Sequence, residues 1–146
     1  MTPRVEYAVS LFKNGFNCSQ AMLATFGPLF NLDHETALKV SGAFGGGMGG
    51  LGETCGAVTG AFMVIGLKDG RINAEDLETE KRGYDLVRVF IDRFKSQHGS
   101  LICREILGCD ISTPGGLKTA EEKELFTTLC PQLVQDSAEI IEQLLD

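Results

Sequence analysis

Gly42-Ala43-Phe44-Gly45-Gly46-Gly47-Met48-Gly49-Gly50-Leu51-Gly52-Glu53-Thr54-Cys55-Gly56-Ala57-Val58-Thr59-Gly60 holds nine of the protein's 18 glycines and one of its five cysteines. Glycine in such density costs folding entropy, and chains keep it for close backbone approach or for turns at positive φ. Within the stretch, Gly47-Met48-Gly49-Gly50-Leu51-Gly52 satisfies G-x-G-x-x-G, and an apolar helical segment follows. A dinucleotide fold would need a strand before those glycines and a βαβ unit around them, with an acidic ribose partner further on. Thr36 to Val40, just upstream, reads as helix, and no G-K-[ST] follows. The remaining chain offers almost no period-two alternation and no internal repeat. The expectation is therefore an all-α fold with no nucleotide. It is a single domain over residues 1–146, a bundle of about six to eight helices with a glycine-rich loop leading into a central buried helix.

Helix signals extend outward in both directions from the glycines. Upstream, Pro3 to Asn14 places Val5, Ala8, Val9 and Phe12 on one face, with Pro3 in the first turn and Gly15 as the stop. Asn17 with Gln20 three residues on forms a capping box, which puts Cys18 in the first turn of a second helix; Gly27-Pro28 distorts or ends it. Asp33 caps a third. Downstream, Glu53 or Thr54 starts the helix carrying Cys55 in its first turn, with small residues at Gly56, Ala57, Gly60 and Ala61. A long helix is expected from Asn73 or Ala74 to about His98, with Leu77, Tyr84, Val87, Ile91 and Phe94 as its apolar stripe. Ser100 caps a short helix containing Cys103, and Gly108 stops it. Lys118 to Leu129 follows as helix. Cys130-Pro131 then begins the last one, with Cys130 as N-cap, ending near Leu145.

Composition narrows function. The net charge of -7 opposes binding to nucleic acid or an anionic membrane, both of which require clustered Lys and Arg. The longest apolar run, Ala57 to Leu67, is too short for a spanning helix, and the first residues do not resemble a signal peptide. A cytoplasmic location is the expectation. There, five cysteines imply free thiols, a metal site or a catalytic redox pair more readily than structural disulfides.

Four of those cysteines share one predicted setting. Cys18, Cys55, Cys103 and Cys130 each fall at or within the first turn of a helix, where unpaired N–H groups and the helix dipole favour the thiolate. The plainer alternative is that each is a small buried hydrophobe. If the four helix ends converge, two chemistries are open. The thiolates hold an iron–sulfur cluster or another thiolate-bound metal, or two of them cycle between dithiol and disulfide. The absence of C-x-x-C weakens a thioredoxin-like pair and structural zinc. In the cluster reading, backbone N–H groups of the glycines approach the cluster sulfurs, with Gly49, Gly50, Gly52 and Gly56 as the expected contributors. Cys109 follows a helix stop and reads as an auxiliary thiol. His98 reads as a solvated cation completing the long helix, with ligand or proton donor as its other use. His34 reads as exposed, and the acidic runs as solvated faces. A third reading is a non-enzymatic helical interaction module, with the long helix and the small-residue face serving a homodimer.

These residues resemble the C_GCAxxG_C_C family of redox-active proteins, named for four characteristic cysteines around a central small-residue motif. The motif stands here as Cys55-Gly56-Ala57-Val58-Thr59-Gly60, with Cys and Gly in the opposite order to the family label. Asn17-Cys18-Ser19-Gln20-Ala21, Gly99-Ser100-Leu101-Ile102-Cys103 with Leu107-Gly108, and Cys130 are similar to the flanking elements, so the resemblance spans nearly the whole chain. It implies redox activity at Cys18, Cys55, Cys103 and Cys130, with a redox partner left unidentified. Cys109 is a fifth thiol beyond the family's four, and it leaves open whether Cys103 or Cys109 would join any disulfide.

Overall fold

Capping residues set most boundaries in the computed structural model, which describes residues 1–146. Thr2 accepts from the Val5 amide and Pro3 occupies the first turn, starting α1 (Pro3–Lys13). The Asn17–Gln20 capping box is complete in both directions and starts α2 (Cys18–Phe26). Gly27–Phe30 tightens into a 3-10 turn, as the Gly-Pro pair implies. Asp33 accepts from Thr36 at the head of α3 (His34–Ser41). After the glycines come α4 (Gly56–Asp69), α5 (Leu77–His98), α6 (Cys103–Leu107), α7 (Pro114–Glu122) and α8 (Leu125–Leu145). Eight α-helices and no strand make the fold all-α. A single antiparallel bridge, Thr54 to Ile102, is the only β-type pairing.

The core forms around α4 because that helix is apolar on every side. Gly56, Ala57, Val58, Gly60, Ala61, Val64 and Ile65 are all buried, and α2, α5 and α8 pack around them. The closest neighbour is α2, itself buried almost throughout. Glycine makes that proximity possible. A Cβ at Gly60 would lie 2.7 Å from Met22 Cβ and 3.0 Å from the Ser19 carbonyl oxygen. Ser137 on α8 donates to the Ala57 carbonyl at 2.7 Å, so a buried hydroxyl pins the last helix to the first turn of α4. α8 also packs along α1, closing the bundle.

Three expectations about the helices change. The long helix begins at Leu77, because Asp76 accepts from Thr79 and caps it there. Its stripe shifts as well: Phe90 and Phe94 carry the core contact, while Leu77 and Tyr84 are exposed. The third change bears on the site. The helix read as Lys118 to Leu129 is split: α7 ends at Glu122, Glu124 turns through a left-handed φ of 56°, and α8 starts at Leu125. Pro131 therefore lies inside α8, and Cys130 sits in its second turn instead of capping it. Proline at this depth loses one backbone bond, and the burial of the proline ring and of Leu133 and Val134 beside it offsets the loss.

Candidate thiol site

Cys18, Cys55, Cys103 and Cys130 line one cavity of about 170 Å³. The remaining wall is Phe12, Asn17, Gly46, Gly47, Gly56, Leu107, Ile111, Phe126 and Leu133, so apart from the thiols the only polar side chain is Asn17. All four cysteines are free and buried, none more than 9% exposed.

Each arrives by a different local device. Cys18 is the first residue of α2, fixed by the capping box at Asn17. Cys55 is the N-cap of α4, one position earlier than its sequence suggests. Cys103 is the first residue of α6, and a backbone clip joins it to Cys55. The Cys55 amide donates to the Leu101 carbonyl at 2.8 Å, the Cys103 amide to Glu53 at 2.6 Å, and the Arg104 amide to Gly52 at 3.0 Å. Arg104 reinforces the clip with its guanidinium on Glu53 at 2.8 Å and on the Gly52 carbonyl at 3.2 Å. Cys130 comes from the body of α8, so it lacks the helix-start setting that the other three share.

The glycine run forms the lid of this clip. Gly46, Gly47, Met48, Gly49 and Gly50 are all left-handed, with φ between 63° and 77°, a conformation open to glycine and costly to other residues. Bonds from Gly52 to the Gly46 carbonyl and from Glu53 to the Gly47 carbonyl close the coil. The Gly46 and Gly47 amides make no bond within the protein. A Cβ at Gly47 would stand 2.7 Å from Cys103 Cβ, and one at Gly56 would stand 3.1 Å from Cys18 Cβ. Of the glycines expected at the site, only Gly56 lines the cavity; Gly49, Gly50 and Gly52 do not, and Gly46 and Gly47 stand there instead.

The thiols are not uniformly activated, which corrects the expectation from helix starts. The Cys18 thiol donates to the Cys55 sulfur; that bond, then burial and the neighbouring sulfurs, raises Cys18 well above the ordinary thiol value. Cys55 is lowered, first by the Cys18 bond and then, against its burial, by the Ala57 and Val58 amides at the start of α4. Burial pushes Cys103 and Cys130 up to about 12 each, with the other sulfurs adding to it. The bond to Cys55, with loss of hydration, outweighs the dipole at Cys18, and loss of hydration outweighs it at Cys103. Only Cys55 gains from its helix.

No three Cys, His, Asp or Glu side chains gather tightly enough around one point to hold a single metal ion. His98 is not a solvated cation: it bonds Asp136 at 2.9 Å, largely buried, and it is not in the cavity wall. Cys109 stands outside the wall as well, half-buried, packed against the cluster of Cys103, Leu107 and Cys130.

Residues missed by sequence reading are Phe12, Asn17, Phe126, Gly46 and Gly47 as wall elements; Asn17 alone carried a signal, its capping box. Phe12 and Phe126 are shared by the cavity and by an outer groove lined with Lys13, Gly15, Phe16, Thr127 and Pro131. They stand between the thiols and solvent on that side. Phe126→Ala should therefore speed alkylation of the buried cysteines by a small neutral reagent several-fold, with little change for a bulky maleimide. Equal rates in variant and parent, read by peptide mass mapping, would place the entrance elsewhere.

A family model described as "Putative redox-active protein (C_GCAxxG_C_C)" matches residues 16–144. No curated protein and no solved structure matches the chain.

Proposed function

The chain belongs to the C_GCAxxG_C_C family of redox-active proteins, and from that premise we propose that Cys18, Cys55, Cys103 and Cys130 together hold an iron–sulfur cluster for electron transfer. One observation carries this reading: four thiols from four separate helices face a single enclosed, mostly apolar cavity. Four cysteine sulfurs are the donor set of such clusters, and all four of these residues line the one cavity. The wall matches too. Gly46 and Gly47 line the cavity with amides that make no bond within the protein, and a Cβ at Gly47 or Gly56 would crowd Cys103 or Cys18. When bound, a cluster supplies one-electron chemistry and the positive charge that lets buried thiols ionise.

The protein's own residues account for the rest. The clip between residues 52–55 and 101–104 fixes Cys55 relative to Cys103, and the capping box fixes Cys18. Phe12, Phe126, Leu107 and Leu133 keep water out and the local dielectric low. An amide of Gly46 or Gly47 that donated to sulfur would raise the potential of whatever the sulfurs hold.

A second reading rests on the Cys18–Cys55 contact. One protonated and one acidified thiol in hydrogen-bond contact can exchange with an external disulfide, forming the Cys18–Cys55 bridge and releasing two thiols, and an external dithiol can reduce the bridge again, with no metal.

Anaerobic purification followed by loading with ferrous iron and sulfide separates the two. The cluster reading expects a coloured protein retaining both iron and sulfide, and loss of most of that iron in each of Cys18→Ser, Cys55→Ser, Cys103→Ser and Cys130→Ser. A colourless, iron-free protein that forms a reversible Cys18–Cys55 disulfide would overturn it in favour of the second.

A further inference from the structure

Cys109 is the thiol that neither reading uses, and it is not an isolated one. Its side chain packs on the small cluster that contains Cys103 and Cys130, both 7% exposed. Cys109 is itself only partly buried, more open to solvent than either of them, and its thiol donates to the Leu107 carbonyl at 3.8 Å. Cys109 follows α6 directly, separated from its C-terminal residue Leu107 by the left-handed Gly108. That helix is five residues long; the clip holds its Cys103 end, so it is the Cys109 end, beyond Gly108, that must move to the spacing a disulfide needs.

We propose that Cys109 is the solvent-facing exchange thiol of this protein, taking a low-molecular-weight disulfide from solution and passing the oxidation to Cys103. The step balances as follows. The Cys109 thiolate attacks one sulfur of a disulfide RSSR, forming Cys109–S–SR and releasing RS⁻. Cys103 then gives its proton to water and attacks the Cys109 sulfur, forming the Cys103–Cys109 disulfide and releasing the second RS⁻. Two protein thiols are oxidised and one RSSR is reduced to two thiols. The inference rests on the functional reading only in taking Cys103 as a redox group of the cavity, and it applies to metal-free protein. With Cys103 withdrawn, the cavity keeps three of its four sulfurs. Oxidised small thiols in solution would thereby control whether the full set is present.

The test uses the full chain, metal-free and reduced, exposed to oxidised glutathione as the probe and quenched with acid at intervals for peptide mass mapping. The expected sequence is a single glutathione adduct on Cys109, replaced in time by a Cys103–Cys109 bridge without glutathione. Cys109→Ser should react at least about tenfold more slowly, since the other cysteines are buried. Cys103→Ser should trap the adduct on Cys109; should that variant fail to fold, the early acid-quenched samples of the parent report the same adduct. A Cys109→Ser protein that reacts as fast as the parent, an adduct that never resolves, or a bridge to a different cysteine would overturn the proposal. Iron loading tells the two proposals apart. Cys109→Ser that loads iron normally yet no longer exchanges supports this one, whereas failure of iron loading in every form bears on the cluster alone.

Discussion

Gly60→Val should cost about 3 kcal/mol or more of stability, enough to unfold much of a protein with ordinary reserves. The new side chain has nowhere to go. A Cβ alone would approach Met22 Cβ to 2.7 Å, the Ser19 carbonyl oxygen to 3.0 Å and Ser19 Cα to 3.1 Å, and the valine methyls extend further. Two of those three atoms are backbone-linked parts of α2, and both Ser19 and Met22 are fully buried, so neither residue can swing aside. Separating α2 from α4 would be the only relief. That would pull Cys18 away from Cys55, so loss of stability and exposure of thiols should appear together. Gly66 supplies the internal control, because a Cβ there meets nothing within 4 Å. Gly66→Ala should leave the protein intact and stabilise it by roughly 0.5–1 kcal/mol through helix propensity. Urea unfolding and thiol titration check both; a Gly60→Val protein with the parent's midpoint would show that α2 and α4 are not locked at this point.

Metal-free, reduced protein should lose stability steeply as pH rises above about 9. Cys103 and Cys130 are raised from 9.0 to about 12 in the fold, and Cys18 is raised as well. Above 9 the unfolded chain releases these protons while the folded one keeps them. Their contribution is therefore fully present below 9 and drains away as pH climbs through 12. At about 1.4 kcal/mol per pH unit and thiol, Cys103 and Cys130 each contribute on the order of 2 kcal/mol of destabilisation by pH 11. Cys55 runs the other way: its lowered value favours the fold above the ordinary thiol value, and that gain is lost as pH falls through its own titration. Urea midpoints between pH 8 and 11, under reductant and chelator, measure the slope. The paired Cys103→Ser, Cys130→Ser variant should flatten it; an unchanged slope would mean that other groups, Lys or Tyr, set the alkaline limit.

Much of the architecture was legible because caps are local chemistry. Asn17 with Gln20, Asp33 and Gly99 each act through neighbours a few residues away, and those boundaries stand where the residues place them. The G-x-G-x-x-G match lacks the strands that a dinucleotide fold places around it, and that lack is a property of the whole chain. Pro131 misled because a proline marks a helix start and is tolerated inside one at a cost, and only the turn at Glu124 distinguishes the two. The meeting of four cysteines was visible as a shared pattern, although Cys130 reaches the cavity without that pattern. Their protonation was not visible. A helix start argues for thiolate and burial argues against it, and burial depends on distant segments such as Phe12 and Leu133. Which glycines line the cavity was not legible for a related reason: five successive left-handed residues wind the loop so that Gly46 and Gly47 stand in the wall, a sense no spacing rule conveys.

The packing of α8 against α1 and α4 also dictates the order in which the site can come into being. Cys18 and Cys55 meet when α2 and α4 pair, a contact between near neighbours along the chain. Cys130 belongs to the element that follows all the others, and its seat requires ends of the chain to find each other across well over a hundred positions. Contacts of that span form late because loop closure precedes any reward from packing. Until α8 docks, then, the first three sulfurs stand beside an unfinished wall, lacking Phe126, Cys130 and Leu133. The cavity becomes a protected compartment only when the last helix docks.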